Sequence, residues 1–291
     1  MDSRNTPERV RRAMSEHGLR FQKSLGQNFL TDASVLEQIV EAANLDENTC
    51  VLEIGPGAGV LTCELAKNAY KVAAVEIDSG LIPLLSENTA EFHNVKIINQ
   101  DIMKLDLAQL FKEEFQGKQV KVVANLPYYI TTPIIMKLLE ENPGVSEIII
   151  MIQKEVAERL TARPGTKAYG AVTLSVNYYA QPSLVCLVPP DAFVPPPKVW
   201  SAVLKLDMLD APPVALLDEQ HFFHLIKAAF GQRRKTFVNS AANYPALHTC
   251  KEDIKKVLNK LGFCETIRGE SFTLVDFAQI SNELAQLTLC K

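Results

Sequence analysis

Val51-Leu-Glu-Ile-Gly55-Pro-Gly57-Ala-Gly59 decides the fold: an apolar run of strand length empties into three glycines within five positions. A glycine-rich turn between a hydrophobic strand and a helical stretch tolerates positive φ and lets a ligand approach the backbone closely. In a dinucleotide fold the third glycine takes the sixth position of GxGxxG. Here that position is Val60, and the glycine arrives one place earlier at Gly59. The spacing favours a ligand other than a nicotinamide dinucleotide.

Outward from this turn, short apolar runs alternate with helical stretches as far as about Asp207, the pattern of an α/β domain with a largely parallel sheet. Strands are expected over Cys50 to Ile54, Lys71 to Ile77, Val95 to Asn99, Val120 to Asn125, Glu147 to Gln153, Val172 to Tyr179 and Trp200 to Leu206. Helices are expected over Leu61 to Asn68, Leu81 to Phe92, Pro133 to Glu141 and Lys154 to Thr161. Upstream, Asp32 is placed to cap a helix carrying Val35, Leu36, Ile39, Val40 and Ala43 at helical spacing. The segment Asp210-Ala-Pro-Pro213 ends the strand pattern, and helical periodicity follows. The expected organisation is a Rossmann-like, doubly wound, seven-stranded α/β domain over 1–208 and a small all-α domain over 209–291. Within the first, residues 1–22 read as a flexible basic extension.

Composition narrows the class further. The 291 residues are 47% hydrophobic with a net charge of −4, too apolar for disorder and long enough for about two domains. The apolar run Ile148 to Ile152 suits a buried strand and falls far short of the ~18 residues a membrane span needs. Six scattered cysteines without a CxxC pair suggest neither a zinc site nor a disulfide framework, and the N-terminus lacks a secretory h-region. A cytoplasmic protein without a metal is expected. His221 and His224 share a helix face but lack a third ligand, and Trp200 reads as a packing residue of the last strands.

Two more strand ends carry acids. Val75-Glu76-Ile-Asp78 closes the second strand about 20 residues after the glycines, where Glu76 is placed to accept hydrogen bonds from both hydroxyls of a ribose. Asn99-Gln-Asp101 closes the third, where a carboxylate suits the exocyclic amine of an adenine. After the fourth strand stands Asn125-Leu-Pro-Tyr128, the most specific signal in the chain. Asn125 Oδ1 and the Leu126 carbonyl offer two acceptors to an amine whose lone pair is delocalised into a ring. Pro127 holds the turn rigid, and Tyr128 offers a flat face to a base extruded from its stack.

With these motifs the sequence resembles the small-subunit ribosomal RNA adenine dimethyltransferases, the KsgA (RsmA) family of bacteria. The likeness covers nearly the whole chain. It takes in Lys23-Ser-Leu-Gly-Gln-Asn28-Phe-Leu30, Leu52 to Thr62, Asn125 to Tyr128, Ile152 to Arg159, Tyr169-Gly170, Phe193-Val-Pro-Pro-Pro-Lys198-Val-Trp-Ser-Ala202 and Phe230-Gly-Gln-Arg233-Arg-Lys-Thr236. The resemblance implies S-adenosylmethionine as methyl donor, bound by Asn28, Leu30, Gly55, Glu76, Asp101 and Asn125, with Gly57 in the same turn. It implies dimethylation of two adjacent adenines in a hairpin near the 3′ end of 16S ribosomal RNA. Asn125, Leu126, Pro127 and Tyr128 would hold the amine, and Phe193 would stack on the base opposite Tyr128. Phe237, where the family often has leucine, and the Arg-bearing extension before Phe21 depart from its pattern and bear only on RNA contact.

Residues 220–249 contain no acid while Lys227, Arg233, Arg234 and Lys235 are present, so this part of the helical domain is expected to contact RNA phosphates. A second cluster, Arg4, Arg9, Arg11, Arg12, Arg20 and Lys23, either flanks the substrate entrance or forms a mobile tail. The expected partner is 16S rRNA within the immature small ribosomal subunit, met by a monomer. Three alternatives stand beside this reading: a 23S rRNA adenine methyltransferase of the macrolide-resistance type, a mainly non-catalytic assembly factor of the small subunit, and a nicotinamide oxidoreductase.

Overall fold

The computed structural model describes residues 6–19, 21–22 and 26–289. The chain forms two compact units, Met1–Ala157 with Gln181–Met208, and Glu158–Ala180 with Leu209–Lys291. In chain order the first elements are α1 (Pro7–Glu16), β1 (Phe29–Leu30), α2 (Ala33–Ala43), β2 (Cys50–Ile54), α3 (Val60–Ala66) and β3 (Lys71–Glu76). There follow α4 (Ile82–Asn88), β4 (Val95–Asn99), α5 (Leu107–Leu110), β5 (Val120–Asn125), α6 (Thr131–Glu141), β6 (Val145–Gln153) and α7 (Lys154–Leu160). Then come α8 (Ala171–Tyr179), β7 (Ala180–Val188), β8 (Phe193–Val194) and β9 (Ser201–Met208). The last helices are α9 (Glu219–Gly231), α10 (Phe237–Ala242), α11 (Lys251–Lys260) and α12 (Leu274–Leu289).

Seven strands form one sheet in the order β4-β3-β2-β5-β6-β9-β7. β4, β3, β2, β5 and β6 run parallel, and β9 is antiparallel to β6. The chain builds outward from β2 through β3 to β4, then returns to lay β5 and β6 on the other side. That reversal between β2 and β5 opens a crevice outside their carboxyl ends. Every residue of β2 is buried, as is each of β5 up to Asn125, because helices cover both faces. Val35, Leu36 and Ile39 of α2 pack with Leu65, Val123 and Ile149 in one such layer.

The structure corrects three expectations of organisation. Val172 to Tyr179 is helix α8, not strand. Its Val, Thr and Tyr favour a strand locally, yet Leu174 and Tyr178, four apart, share a buried helical face in the core of the second unit. The strand at that place in the sheet is β7, a half-exposed edge strand that accommodates Pro182 as edges do. Secondly, the second unit takes Glu158–Ala180 as well as the chain after Met208. Tyr169 and Tyr178 are buried with Phe222, Phe237, Phe272 and Phe277, and the Tyr169 hydroxyl donates to the Phe272 carbonyl at 2.8 Å.

Thirdly, the N-terminal stretch is no loose tail over its described part. Thr6 caps α1, Pro7 opens it, and Val10 and Met14 are buried with Phe29, Ala58, Leu81 and Leu84. Arg4, Arg20 and Lys23 lie outside the described residues.

Candidate functional site

The crevice is lined by the carboxyl ends of β2, β3, β4 and β5 and by the segment 26–30. Gly55, Gly57 and Gly59 have φ of +70°, +60° and +83°. Gly57 is required twice over, since a Cβ there would also stand 2.6 Å from Phe29 Cε1. Its N–H donates to Glu76 Oε2 at 3.0 Å, and the Asp78 N–H donates to Glu76 Oε1 at 2.8 Å. Glu76 is buried, and burial raises its pKa against the pull of those backbone bonds. Each of its oxygens keeps a second lone pair for a ligand.

Asp101 also lines the crevice and caps the next turn by accepting from the Met103 N–H at 2.9 Å. Ile77, 46% exposed, and Ile102 offer apolar surface in the same wall. Asn28 and Leu30 stand opposite, Leu30 being paired in β1 with Phe193 of β8.

At the end of β5, Asn125 Nδ2 donates to the Asn28 carbonyl at 3.0 Å. That bond uses one of the amide's two N–H donors on the backbone, fixes the amide's orientation and leaves Oδ1 as an acceptor. The Leu126 N–H donates to the Met151 carbonyl at 3.1 Å, and the Pro127 carbonyl accepts from Thr131 Oγ1 at 2.9 Å, so the turn is held at both sides. The Tyr128 hydroxyl and Ser201 Oγ are 2.6 Å apart, which fixes the ring, and burial raises the phenol pKa. Tyr129 is 54% exposed and lines the crevice from the side of Gly26.

Two expected site residues have partners within the protein. Phe193 is 2% exposed, packed in the core layer with Val188 and Val203, and presents no face to the crevice. Arg233 is half-buried and partly engaged within the protein, its guanidinium donating to Glu270 at 2.9 Å and to the Lys167 carbonyl at 2.9 Å. Arg233, Arg234 and Lys235 also lie in the turn after α9 rather than on a helix. Lys227, Arg234 and Lys235 are exposed. Among the described residues no group of three or more His, Cys, Asp or Glu is placed to hold a metal ion, and His221 Nδ1 lies 2.8 Å from Ser281 Oγ. No described helix is long and apolar enough to cross a membrane.

Two features escaped the sequence reading. Gln22 and Gln27 donate to Asp78 Oδ2 at 3.0 and 2.7 Å, tying the chain before β1 to the turn after Glu76. Glu53, in the middle of apolar β2, is 1% exposed and lines the crevice, and its Oε2 has no hydrogen-bond partner among the described residues. A carboxyl flanked by Leu52 and Ile54 was the available signal, since a buried acid is costly without a purpose.

Burial pushes the Glu53 carboxyl up to about 8, and the charge of Glu76 adds to the push. The native state therefore keeps a proton that the unfolded chain releases near its ordinary value of 4.5. Stability falls as pH rises from about 5 to about 8. Glu53→Gln keeps the shape without titrating, so it is expected to flatten that fall. Its Tm at pH 8 should exceed wild type by about 5 °C, with little difference at pH 5. Thermal unfolding at the two pH values checks this, and parallel declines in both proteins would refute it.

Comparison with known proteins agrees with this geometry. A family model described as ribosomal RNA adenine dimethylase matches residues 18–279. The ribosomal RNA small subunit methyltransferase A of Alkaliphilus oremlandii is 48% identical over 98% of this chain and 99% of its own length. That of Geobacillus thermodenitrificans is 47% identical over 97% of each. Among solved structures, a dimethyladenosine transferase from Plasmodium falciparum matches with a TM-score of 0.74 and 28% identity, over 87% of this chain and 95% of its own. The 23S rRNA methyltransferase ErmE matches in fold, with a TM-score of 0.68 and 24% identity over 89% of this chain and all of its own.

Proposed function

The chain belongs to the ribosomal RNA adenine dimethylase family, and from that premise we propose how its crevice dimethylates the N6 amines of two adjacent adenines in the 3′-terminal hairpin of 16S rRNA. The observation that carries this reading is Asn125: its amide nitrogen is anchored to the Asn28 carbonyl, its oxygen is an acceptor, and it stands beside the glycine turn and Tyr128.

The residues present fit S-adenosylmethionine. Glu76 has one lone pair left on each oxygen for the two ribose hydroxyls, Asp101 offers an acceptor at the next strand end, and Gly57 keeps the backbone open. Gly55, Asn28 and Leu30 complete the cradle. When bound, the donor supplies an electrophilic methyl group on its sulfonium.

The protein's own contribution is placement and polarisation. Asn125 Oδ1 and the Leu126 carbonyl accept the two N6 hydrogens, which draws the amine lone pair out of the ring and toward the methyl. Pro127 fixes the turn, and Tyr128, anchored by Ser201, supports the extruded base. The proton left on the methylated amine passes to solvent, and two rounds at each base give dimethyladenosine. Exposed Lys227, Arg234 and Lys235 of the second unit contact RNA phosphates without reading sequence. The enzyme acts as a cytoplasmic monomer on the immature small subunit.

The test is methyl transfer from labelled S-adenosylmethionine to unmethylated small-subunit particles and, separately, to large-subunit RNA, with the nucleoside identified by mass. Dimethyladenosine confined to the small-subunit hairpin is expected. Label in large-subunit RNA, or tight particle binding without label, would overturn the reading.

A further inference from the structure

Trp200, the chain's only tryptophan, is not buried among the last strands as its sequence context suggests. It is 48% exposed, and Val199 before it is 45% exposed. Its position follows from the sheet register. Asn125, Met151 and Val203 lie in one row across β5, β6 and β9, and Gln153 pairs with Ser201. Trp200 stands three residues beyond Val203 in the direction in which β5 and β6 end, about 10 Å past the row of Asn125 at ~3.3 Å per residue. It therefore rises at the edge of the sheet from which the Asn125 to Tyr128 turn also projects.

Its mounting is stiff. The Trp200 carbonyl accepts from the Lys154 N–H at 2.9 Å, and the next residue, Ser201, holds the Tyr128 hydroxyl. Pro195, Pro196 and Pro197 restrict the approach to it. Lys198, exposed in the same loop, adds positive charge. An indole left half in water on a rigid loop, one residue from the anchor of the base-supporting tyrosine, has the makings of a stacking surface.

We infer that Trp200 is a stacking platform for the unpaired nucleobase that flanks the target adenine, with Lys198 facing that nucleotide's phosphate. This rests on the proposed function, in which Tyr128 takes the target base. The platform tolerates any base, since every base has a π-face.

The experiment compares Trp200→Ala, Trp200→Phe and Trp200→Leu with wild type on unmethylated small-subunit particles, after wild type has first been shown to form dimethyladenosine there. Trp200→Ala should raise KM for particles by about 10-fold, with a much smaller effect on kcat, and leave donor affinity intact. Trp200→Phe should recover most of the loss, and Trp200→Leu should not. Replacing this one tryptophan by 5-hydroxytryptophan gives a direct signal, which should be quenched on particle binding and not by donor alone. A wild-type KM in Trp200→Ala, or unquenched emission on bound particles, overturns the platform. Equal rescue by Leu and Phe also overturns it, in favour of an apolar protein contact. Absence of dimethyladenosine with wild type would remove the underlying reading itself, and the platform with it.

Discussion

Asn125→Ala is expected to lower kcat by about 100-fold or more, while the donor's dissociation constant rises only a few-fold. The asymmetry follows from what each end of the amide does. Nδ2 donates to the Asn28 carbonyl at 3.0 Å and sets the orientation, and Oδ1 is left for an N6 hydrogen. The N6 hydrogens become more acidic as the methyl bond forms, so this acceptor binds the transition state more tightly than the ground state. Asn125→Asp separates orientation from acceptance. It keeps oxygens for the amine but loses the bond to Asn28, and it sets a carboxylate against a carbonyl. Its rate should fall nearly as far as that of Asn125→Ala. Single-turnover rates with saturating donor, beside calorimetric binding of S-adenosylhomocysteine, make the distinction. If binding collapsed and the rate at saturation survived, Asn125 would hold the donor and not polarise the amine.

What could be read from the sequence depended on whether a residue's role was set by its own strand or by distant neighbours. β2, β3 and β5 are buried on both faces and so appear as near-continuous apolar runs, and a doubly wound sheet places their carboxyl ends at the crevice. Gly55, Glu76, Asp101 and Asn125 were legible for that reason, each being the residue at or just after a strand end. Helix α8 was not, because Leu174 and Tyr178 gain more from the core of the second unit than their neighbours lose in propensity. The arginines of α1 likewise masked Val10 and Met14, whose buried partners Phe29, Ala58, Leu81 and Leu84 lie 15 or more residues away. The surroundings of Arg233, Phe193 and Trp200 were not legible, because distant residues set them. Glu270 pairs with the first, the core layer with Val188 and Val203 takes in the second, and the third is left half-exposed just before β9.

The glycine turn makes Glu76 the residue whose loss should cost donor binding most. Both carboxylate oxygens already accept backbone N–H groups, from Gly57 at 3.0 Å and from Asp78 at 2.8 Å, and only a carboxylate can accept these two and two ribose hydroxyls as well. Glu76→Gln must point its NH2 at one of the two N–H groups, and Glu76→Ala leaves both without this partner. Hydrogen bonds to a charged group are worth about 1.5–3 kcal/mol each. The loss of two toward the ribose, with a loosened turn, predicts a donor dissociation constant raised by at least about 100-fold in either variant. kcat at saturating donor should change far less, the reverse of the pattern for Asn125→Ala. Because burial raises the Glu76 pKa, wild-type affinity should begin to weaken at a higher pH than an ordinary carboxylate would allow as the solution is acidified. Protonation removes acceptors that the ribose needs, so affinity is lost downward in pH, and in Glu76→Gln that dependence should vanish. Calorimetry with S-adenosylhomocysteine across the acid range reads both effects. A Glu76→Gln enzyme with wild-type affinity would show that the ribose is held elsewhere.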